Sequence, residues 1–255
     1  MDIDLNSDLG EGFGPWRMGD DAALMEVISS ANIACGFHAG DPVIMDRTVR
    51  MAKARGIDVG AHVGFQDLIG FGRRPMQASP TELAVSVVYQ LGALAGMARA
   101  AQCAMTHMSF HGALGNMAAA DRALATVLVQ AVKDFDPQLI VSVSTDTEIE
   151  KAADRAGLRV ATSFLADRAY DDHGALVSRQ LAGAVLHDEQ QVLQRVLQVL
   201  DDQSVTSITG KRLPMRVQSI LLHGDTPGAV ALARAVRQAI EAGGGRVVPV
   251  SRLVS

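Results

Sequence analysis

Aromatic residues make up only 4% of this 255-residue chain, and its lysines and arginines are scattered rather than grouped. A nucleic-acid binder shows a basic stripe or stacking aromatics, so that class is excluded, as the formal net charge of -5 also suggests. Two cysteines, Cys35 and Cys103, are too few for a disulfide framework. Cys35, within Ile33-Ala34-Cys35-Gly36, reads as a buried small hydrophobe rather than a nucleophile. Long hydrophobic runs are also missing: the most apolar stretch, Leu91 to Met105, is broken by Arg99 and falls short of a membrane span. The chain begins Met1-Asp2-Ile3-Asp4, with acids where a signal peptide needs a basic and then an apolar run. The expectation is a cytoplasmic protein with neither membrane nor nucleic-acid partner. Gly210-Lys211-Arg212 lacks the earlier glycine and the following Ser or Thr of a phosphate-binding P-loop. No Gly-x-Ser-x-Gly nucleophile elbow is present either.

Apolar residues are plentiful, at 48%, and the length suffices for a large core. Short apolar runs alternate with longer amphipathic ones, the pattern of an α/β fold with a mostly parallel sheet. Strands are predicted at 1–5, 31–36, 57–62, 104–110, 138–144, 158–164, 217–222 and 246–250, with helices between most of them. Ser79-Pro80-Thr81-Glu82 combines an N-cap Ser, a Pro at the first helical position and a Glu that reaches back to the cap. Thr145-Asp146-Thr147-Glu148 reads as a second capping box, Asp188 as a helix cap, and Thr226-Pro227 as the start of a helix stopped at Gly243-Gly244-Gly245. No repeat, low-complexity tract or linker divides residues 1–255, so one domain is expected. Regions 64–78 and 165–187 lack periodicity, and long loops inside a compact domain are often functional.

The polar residues fall in an informative place. Strand 1 leads into Asn6, Asp8 and Glu11; strand 2 into His38 and Asp41; strand 3 into His62; strand 4 into His111 and Asn116; the strand at 217–222 into His223 and Asp225. In a parallel barrel these strand ends share one face, where catalytic groups sit. Each residue also has a plainer reading: Asp8, Asp41 and Asp225 fit helix N-caps, and a lone His is more often structural than catalytic. His107 lies within a strand and reads as core; His173 and His187 look peripheral. Arg73 and Arg74, in Gly70-Phe71-Gly72-Arg73-Arg74, suit bidentate binding of a carboxylate or phosphate, or form a solvated surface pair. The histidines and carboxylates could bind a divalent metal, with Asp8, His38, His62, His111 and His223 as candidates, although no ligand spacing marks one.

These segments resemble the LamB/YcsF family in order and over nearly the whole chain. Asp4-Leu5-Asn6-Ser7-Asp8-Leu9-Gly10-Glu11-Gly12-Phe13-Gly14 is similar to its first signature, and Ser30 through Pro42 to its second. Gly70-Phe71-Gly72-Arg73-Arg74, His111-Gly112-Ala113-Leu114, Ala166-Asp167-Arg168-Ala169-Tyr170 and His223-Gly224-Asp225-Thr226-Pro227 complete the match. The resemblance implies a distorted (β/α)7 TIM-like barrel related to carbohydrate deacetylases. It further implies the role of the A component of a bacterial ATP-dependent 5-oxoprolinase, which opens the 5-oxoproline lactam to L-glutamate together with subunits B and C. The chain departs from the family pattern at Ser109-Phe110 in place of Lys-Pro, at Gly115 in place of Tyr, at Ser163 in place of Glu, and at Val63 in place of Pro. Loss of a Lys and a Glu together is accounted for by compensated removal of an ion pair or by a changed substrate.

The expected reaction is hydrolytic opening of a small cyclic amide, with ATP-driven activation belonging to the partner subunits. Asp8 or Glu11 is the expected base and His111 the acid, with His38 or His223 polarising the carbonyl or orienting water and Asp225 in the same pocket. Asn6, Asp41, His62, Arg73, Arg74, Asn116 and His223 are the expected substrate contacts. A stand-alone metal-dependent deacetylase or amidase, and a non-catalytic scaffold, are the alternative readings.

Overall fold

The computed structural model describes residues 1–226 and 228–254. The elements run β1 (Asp2–Leu9), α1 (Asp21–Leu24), β2 (Ser30–Ala34), α2 (Pro42–Ala54), β3 (Asp58–Val63), α3 (Pro80–Ala100), β4 (Met105–Phe110), α4 (Gly112–Ala120), α5 (Arg122–Phe135), β5 (Ile140–Val143), α6 (Glu148–Ala156), β6 (Arg159–Leu165), α7 (Glu189–Asp202), β7 (Ser204–Thr206), β8 (Arg212–Pro214), β9 (Ser219–His223), α8 (Ala229–Ala242) and β10 (Arg246–Val247), followed by a 3₁₀ turn at Val250–Arg252. Strands pair in the order β1-β2-β3-β4-β5-β6-β9, and β9 pairs back onto β1, so seven parallel strands close into a barrel. β10 adds to the start of β1, and β7 with β8 makes a separate antiparallel hairpin. The barrel expectation therefore holds.

Alternation along β1 shows how this sequence builds it. Ile3, Leu5 and Leu9 join the apolar core shared with the helices. Asp4, Asn6 and Asp8 point the other way and bond across the interior to Ser30 and Ser219, to Asn32, and again to Asn32. The same period-2 logic places Asn32, His62, His107, Ser109, Ser142 and Ser163 inside. Barrels of this kind usually fill their interior with branched apolar layers; this one is filled by a hydrogen-bonded polar column. Gly60 is required there, because the His107 ring lies where a Cβ would project. His107, expected to pack in the core, is fully buried but bonds to Asn32 Oδ1 at 3.1 Å and Thr106 Oγ1 at 2.9 Å.

The strand starts are closed by the end of the chain. Val250 and Val254 pack on Ile140 and Ala161, and the Val250 amide donates to Ser30 Oγ at 3.0 Å. The polar column is thus sealed below, leaving its chemistry at the carboxyl ends of the strands.

The predicted helix starts hold with two corrections. Ser79 and Glu82 form the capping box of α3, and Asp188 caps α7. The second expected box does not form: α6 is capped by Thr147 rather than Thr145, Thr147 Oγ1 accepting from the Glu150 amide, while Glu150 accepts from the amide of Asp146, before the cap. α8 begins at Ala229 behind Gly228, which has φ +82, so Thr226 is not its cap; Pro227, part of that expectation, lies outside the described residues. α3 corrects another expectation, since it is long and apolar enough to cross a membrane by length and composition. Here Leu83, Val87, Leu91, Leu94 and Ala98 bury its inner face in the core. Cys35 is buried, and burial pushes its thiol up to about 12, which keeps it an unreactive hydrophobe.

Candidate active site

Four buried side chains converge above the polar column. Glu11 follows β1, His38 follows β2, His62 ends β3 and His111 follows β4; one ligating atom from each lies within 4.8 Å of every other. The His38 and His111 rings stack with centroids 3.8 Å apart, and His62 meets both edge-on. His38 Nε2 is 3.1 Å from Glu11 Oε1, His111 Nδ1 is 3.6 Å from the same oxygen, and His111 Nδ1 is 2.9 Å from His62 Nε2. Asp8 Oδ2 stands 3.4 Å from His62 Nε2. Asp8 and His111 therefore meet at one nitrogen.

A hydrogen bond from outside this group fixes the His111 tautomer. His111 Nε2 donates to the Phe71 carbonyl at 2.8 Å, leaving Nδ1 with a lone pair. His62 Nδ1 lies 2.7 Å from Ser109 Oγ, whose hydroxyl can donate to it, leaving His62 Nε2–H to face His111 Nδ1 and Asp8. Burial, then the neighbouring imidazoles, hold His38 and His111 well below the usual histidine range. Burial, then the charges of Asp8 and Asp225, hold the Glu11 carboxyl well above its usual range. Asp8 goes the other way: burial is outweighed by the charge and hydrogen bond of His62, by His223 and by Asn32, so it stays ionised.

A loop from the aperiodic region 64–78 covers this group. Phe71 takes a left-handed conformation, φ +54, and presents its ring edge-on to His38 and His111. Gly72 follows at φ +60, where a Cβ would lie 2.6 Å from His38 Cβ and 2.9 Å from His111 Cδ2. Beside it, a cavity of ≈ 430 Å³ reaches Glu11 and His38 between Phe13, Trp16, Met18, Leu68 and Ile69.

The remaining predicted residues divide. Arg73 stacks over Phe71 at 4.7 Å and donates to Asp225 Oδ2 at 2.7 Å, so both belong to the site's outer tier. Arg74 is engaged by Asp67 and mostly exposed. Asn6 is in the column below, hydrogen-bonded to Asn32. Asp41 caps α2 through the Val43 and Ile44 amides and also accepts from Gly14, so the cap explains its position. Asn116 is exposed on α4, outside the buried group. His223 is not part of the four-residue group; its Nδ1 lies 2.8 Å from Asp167 Oδ2. Asp8 and Asp225 are not helix caps.

Sequence reasoning missed Asp167 as a site residue. It is buried beside His223, and the charge of His223 outweighs burial to keep it ionised. Its signal was the Asp167-Arg168 pair opening an aperiodic stretch directly after β6. Ser109 and Ser163, which replace the usual Lys and Glu, are buried and hydrogen-bonded, Ser109 to His62 and Ser163 Oγ to Ser142 Oγ at 2.8 Å. Both positions are thus neutral and hydrogen-bonded.

Known proteins share this architecture. The chain is 65% identical over 254 residues to the first 5-oxoprolinase A component of Pseudomonas syringae pv. tomato, covering 100% of this chain and 99% of the relative. It is 64% identical to the second 5-oxoprolinase A component of Ralstonia nicotianae, covering 99% and 97%. The crystal structure of the lactam utilization protein from Thermus thermophilus superposes with a TM-score of 0.92 at 41% identity, over 97% of this chain and 99% of that one. The LamB/YcsF family profile matches residues 3–255, and the chain belongs to that family.

Proposed function

We propose that this chain is the A component of an ATP-dependent 5-oxoprolinase and carries the ring-opening step itself. The observation that carries the reading is the buried convergence of Glu11, His38, His62 and His111 beside an ionised Asp8, in a chain this similar to proteins named as 5-oxoprolinase A components. The overall reaction adds water across the amide: the water oxygen bonds to the ring carbonyl carbon, the carbon–nitrogen bond breaks, and the nitrogen takes a proton. It needs a base for the water and an acid for the nitrogen.

The residues fit a divalent metal. Metal–ligand bonds near 2.1 Å place neighbouring ligand atoms roughly 3.0–3.5 Å apart, and the facing contacts of 2.9, 3.1 and 3.6 Å lie close to that range. A cation there would take the place of the proton between His62 Nε2 and His111 Nδ1. Glu11, His38, His62 and His111 would hold it, and it would supply polarisation of the carbonyl and of water.

Asp8 is the base in this reading, because it is the carboxylate that remains ionised beside the group. The acid is His223 rather than His111. His111 has both ring nitrogens engaged and is held neutral. His223 has its Nδ1 fixed by Asp167, which orients the ring and leaves Nε2 for the proton. Phe71 and Gly72 exclude water from the stacked imidazoles.

ATP and subunits B and C enter through the activation step, since an unactivated lactam is a poor electrophile. The test is reconstitution: the chain alone turns over no 5-oxoproline, and the chain with its partner subunits forms glutamate only when ATP is added. Robust turnover by the isolated chain without ATP would overturn this reading. The Glu11 and histidine group also suits a stand-alone amidase, which that same result, with stoichiometric metal in the isolated chain, would support.

A further inference from the structure

His107 is a buried titratable group that the ring-opening scheme leaves unused, and the sequence makes room for it. It is fully enclosed in the barrel, and Gly60, its partner across the β3–β4 pair, omits the side chain that would fill its place. His107 Nε2 lies 3.1 Å from Asn32 Oδ1, and Nδ1 lies 2.9 Å from Thr106 Oγ1. Asn32, also fully buried, reaches from there to Asp8. Its Nδ2 donates to Asp8 Oδ1 at 2.9 Å and to Asn6 Oδ1 at 2.7 Å, while its Oδ1 accepts from Asn6 Nδ2 at 3.4 Å. With His107 at the remaining lone pair, both N–H groups and both lone pairs of the Asn32 amide are satisfied inside the column.

The polarity of these hydrogen bonds follows from Asp8 outward. A carboxylate oxygen offers lone pairs, so Asn32 turns Nδ2 to it and Oδ1 to His107. His107 then carries its proton on Nε2, and Thr106 Oγ1 donates to Nδ1. Burial lowers the His107 imidazole below the ordinary histidine range, so the ring is the neutral donor that this arrangement needs. A flipped Asn32 amide would set Oδ1 against the carboxylate and an N–H against the His107 N–H. Both contacts are repulsive, and the low-dielectric interior makes them costly.

We propose that His107 and Asn32 are a positioning pair for the base: His107 fixes the Asn32 amide, and Asn32 holds Asp8 Oδ1 inside the column so that Oδ2 faces the imidazole group. The inference rests on the reading of Asp8 as the base of ring opening. Oδ2 stands 3.4 Å from His62 Nε2, and anchoring Oδ1 stops the carboxylate from swivelling away from that place. A displacement of about 1 Å in a reacting group costs roughly 100-fold in rate. Both residues act through Asp8 from inside the column, so their loss falls on kcat and spares KM.

A double-mutant cycle in the reconstituted complex, supplied with ATP and 5-oxoproline, tests this with the full chain as wild type, His107→Leu, Asn32→Ala and the two combined. His107→Leu should lower kcat about 10- to 100-fold with KM nearly unchanged. His107→Gln, which keeps a donor near the place of Nε2, should restore most of that loss. Because His107 acts through Asn32, the combined variant should be no slower than Asn32→Ala alone. Additive losses, or a wild-type kcat in His107→Leu, overturn the pair and leave the ring-opening reading standing. A second measurement needs no turnover. Imidazole-nitrogen NMR of the isolated full chain, with His107 assigned by its absence from the His107→Gln spectrum, should find the ring neutral near pH 7 with its proton on Nε2. A proton on Nδ1, or a charged ring, overturns the pair whatever the complex does. A wild-type complex that forms no glutamate removes the ring-opening reading and the base to be positioned, while a proton on Nε2 still upholds the hydrogen bonds that run from His107 to Asp8.

Discussion

Asp4 and Asp8 lie on the same face of one strand, both fully enclosed, yet they titrate in opposite directions. Burial raises Asp4 to about 6 even though Ser29, Ser30 and Ser219 all donate to it. Asp8 is lowered, because His62 and His223 add positive charge that outweighs the same burial. The folded state therefore binds more protons than the unfolded chain at Asp4 between the ordinary value of 3.8 and about 6. Stability must fall as pH rises through that window, by on the order of 3 kcal/mol. Urea unfolding of wild type and Asp4→Asn at pH 4 and pH 7 should show wild type losing that amount relative to the variant, and a flat difference would contradict it. Asp8 works oppositely: its contribution is present above the unfolded value of 3.8 and is lost as pH falls below it. Asp167 supplies a second prediction at this scale. Asp167→Asn should lower kcat of the assembled enzyme by about 10²–10⁴ with little change in KM, since it orients His223 without touching the substrate. An unchanged kcat would remove His223 from the role of acid. Asp8 was legible in the sequence because it follows an apolar run and is flanked by glycine. Asp167 was not, because its partner lies 56 residues away on another strand.

The loop over the site and the helix caps show what an element's sequence can and cannot disclose. Gly70-Phe71-Gly72-Arg73-Arg74 drew attention for its arginines, yet its chief contribution is conformational: Phe71 and Gly72 both adopt positive φ, which turns the Phe71 carbonyl to His111. Gly72→Ala should therefore disrupt the stacked imidazoles while the barrel still folds, with turnover falling at least about 100-fold and circular dichroism retained. Wild-type turnover in that variant would show that the loop does not set the ring positions. The cap of α3 is a local matter. Ser79→Ala should cost about 1 kcal/mol in denaturant unfolding and leave activity intact. All eight barrel and edge strands could be placed from apolar runs, within a few residues at their ends, because each is long enough or apolar enough to register. The β7–β8 hairpin could not, since Ser204-Val205-Thr206 and Arg212-Leu213-Pro214 each carry a single apolar residue between polar or proline neighbours and form no apolar run. The misplaced cap of α6 has a physical cause too. Both Thr145…Glu148 and Thr147…Glu150 satisfy the pattern, and the chain takes the frame that buries Ile149 and Glu150, where Glu150 also pairs with Arg216.

The molecule as a whole is a barrel whose inside is polar from bottom to top, sealed at the strand starts by Val250 and Val254 and reactive at the strand ends. Sequence alternation alone could show that β1 is two-faced, but not that its polar face points inward, because polar residues on a strand ordinarily mark the solvent side. Only closure of seven strands resolves that, by leaving the helices to cover the outer face. The central claim is that the Glu11, His38, His62 and His111 group at the top performs ring opening within an assembly whose other members supply activation. The most direct measurement is ATP-dependent glutamate formation from 5-oxoproline by the reconstituted complex, with this chain as wild type or as Glu11→Gln. The account predicts that the variant assembles normally, contains less bound divalent metal and loses at least about 100-fold in glutamate formation. A Glu11→Gln complex that forms glutamate at the wild-type rate would contradict it.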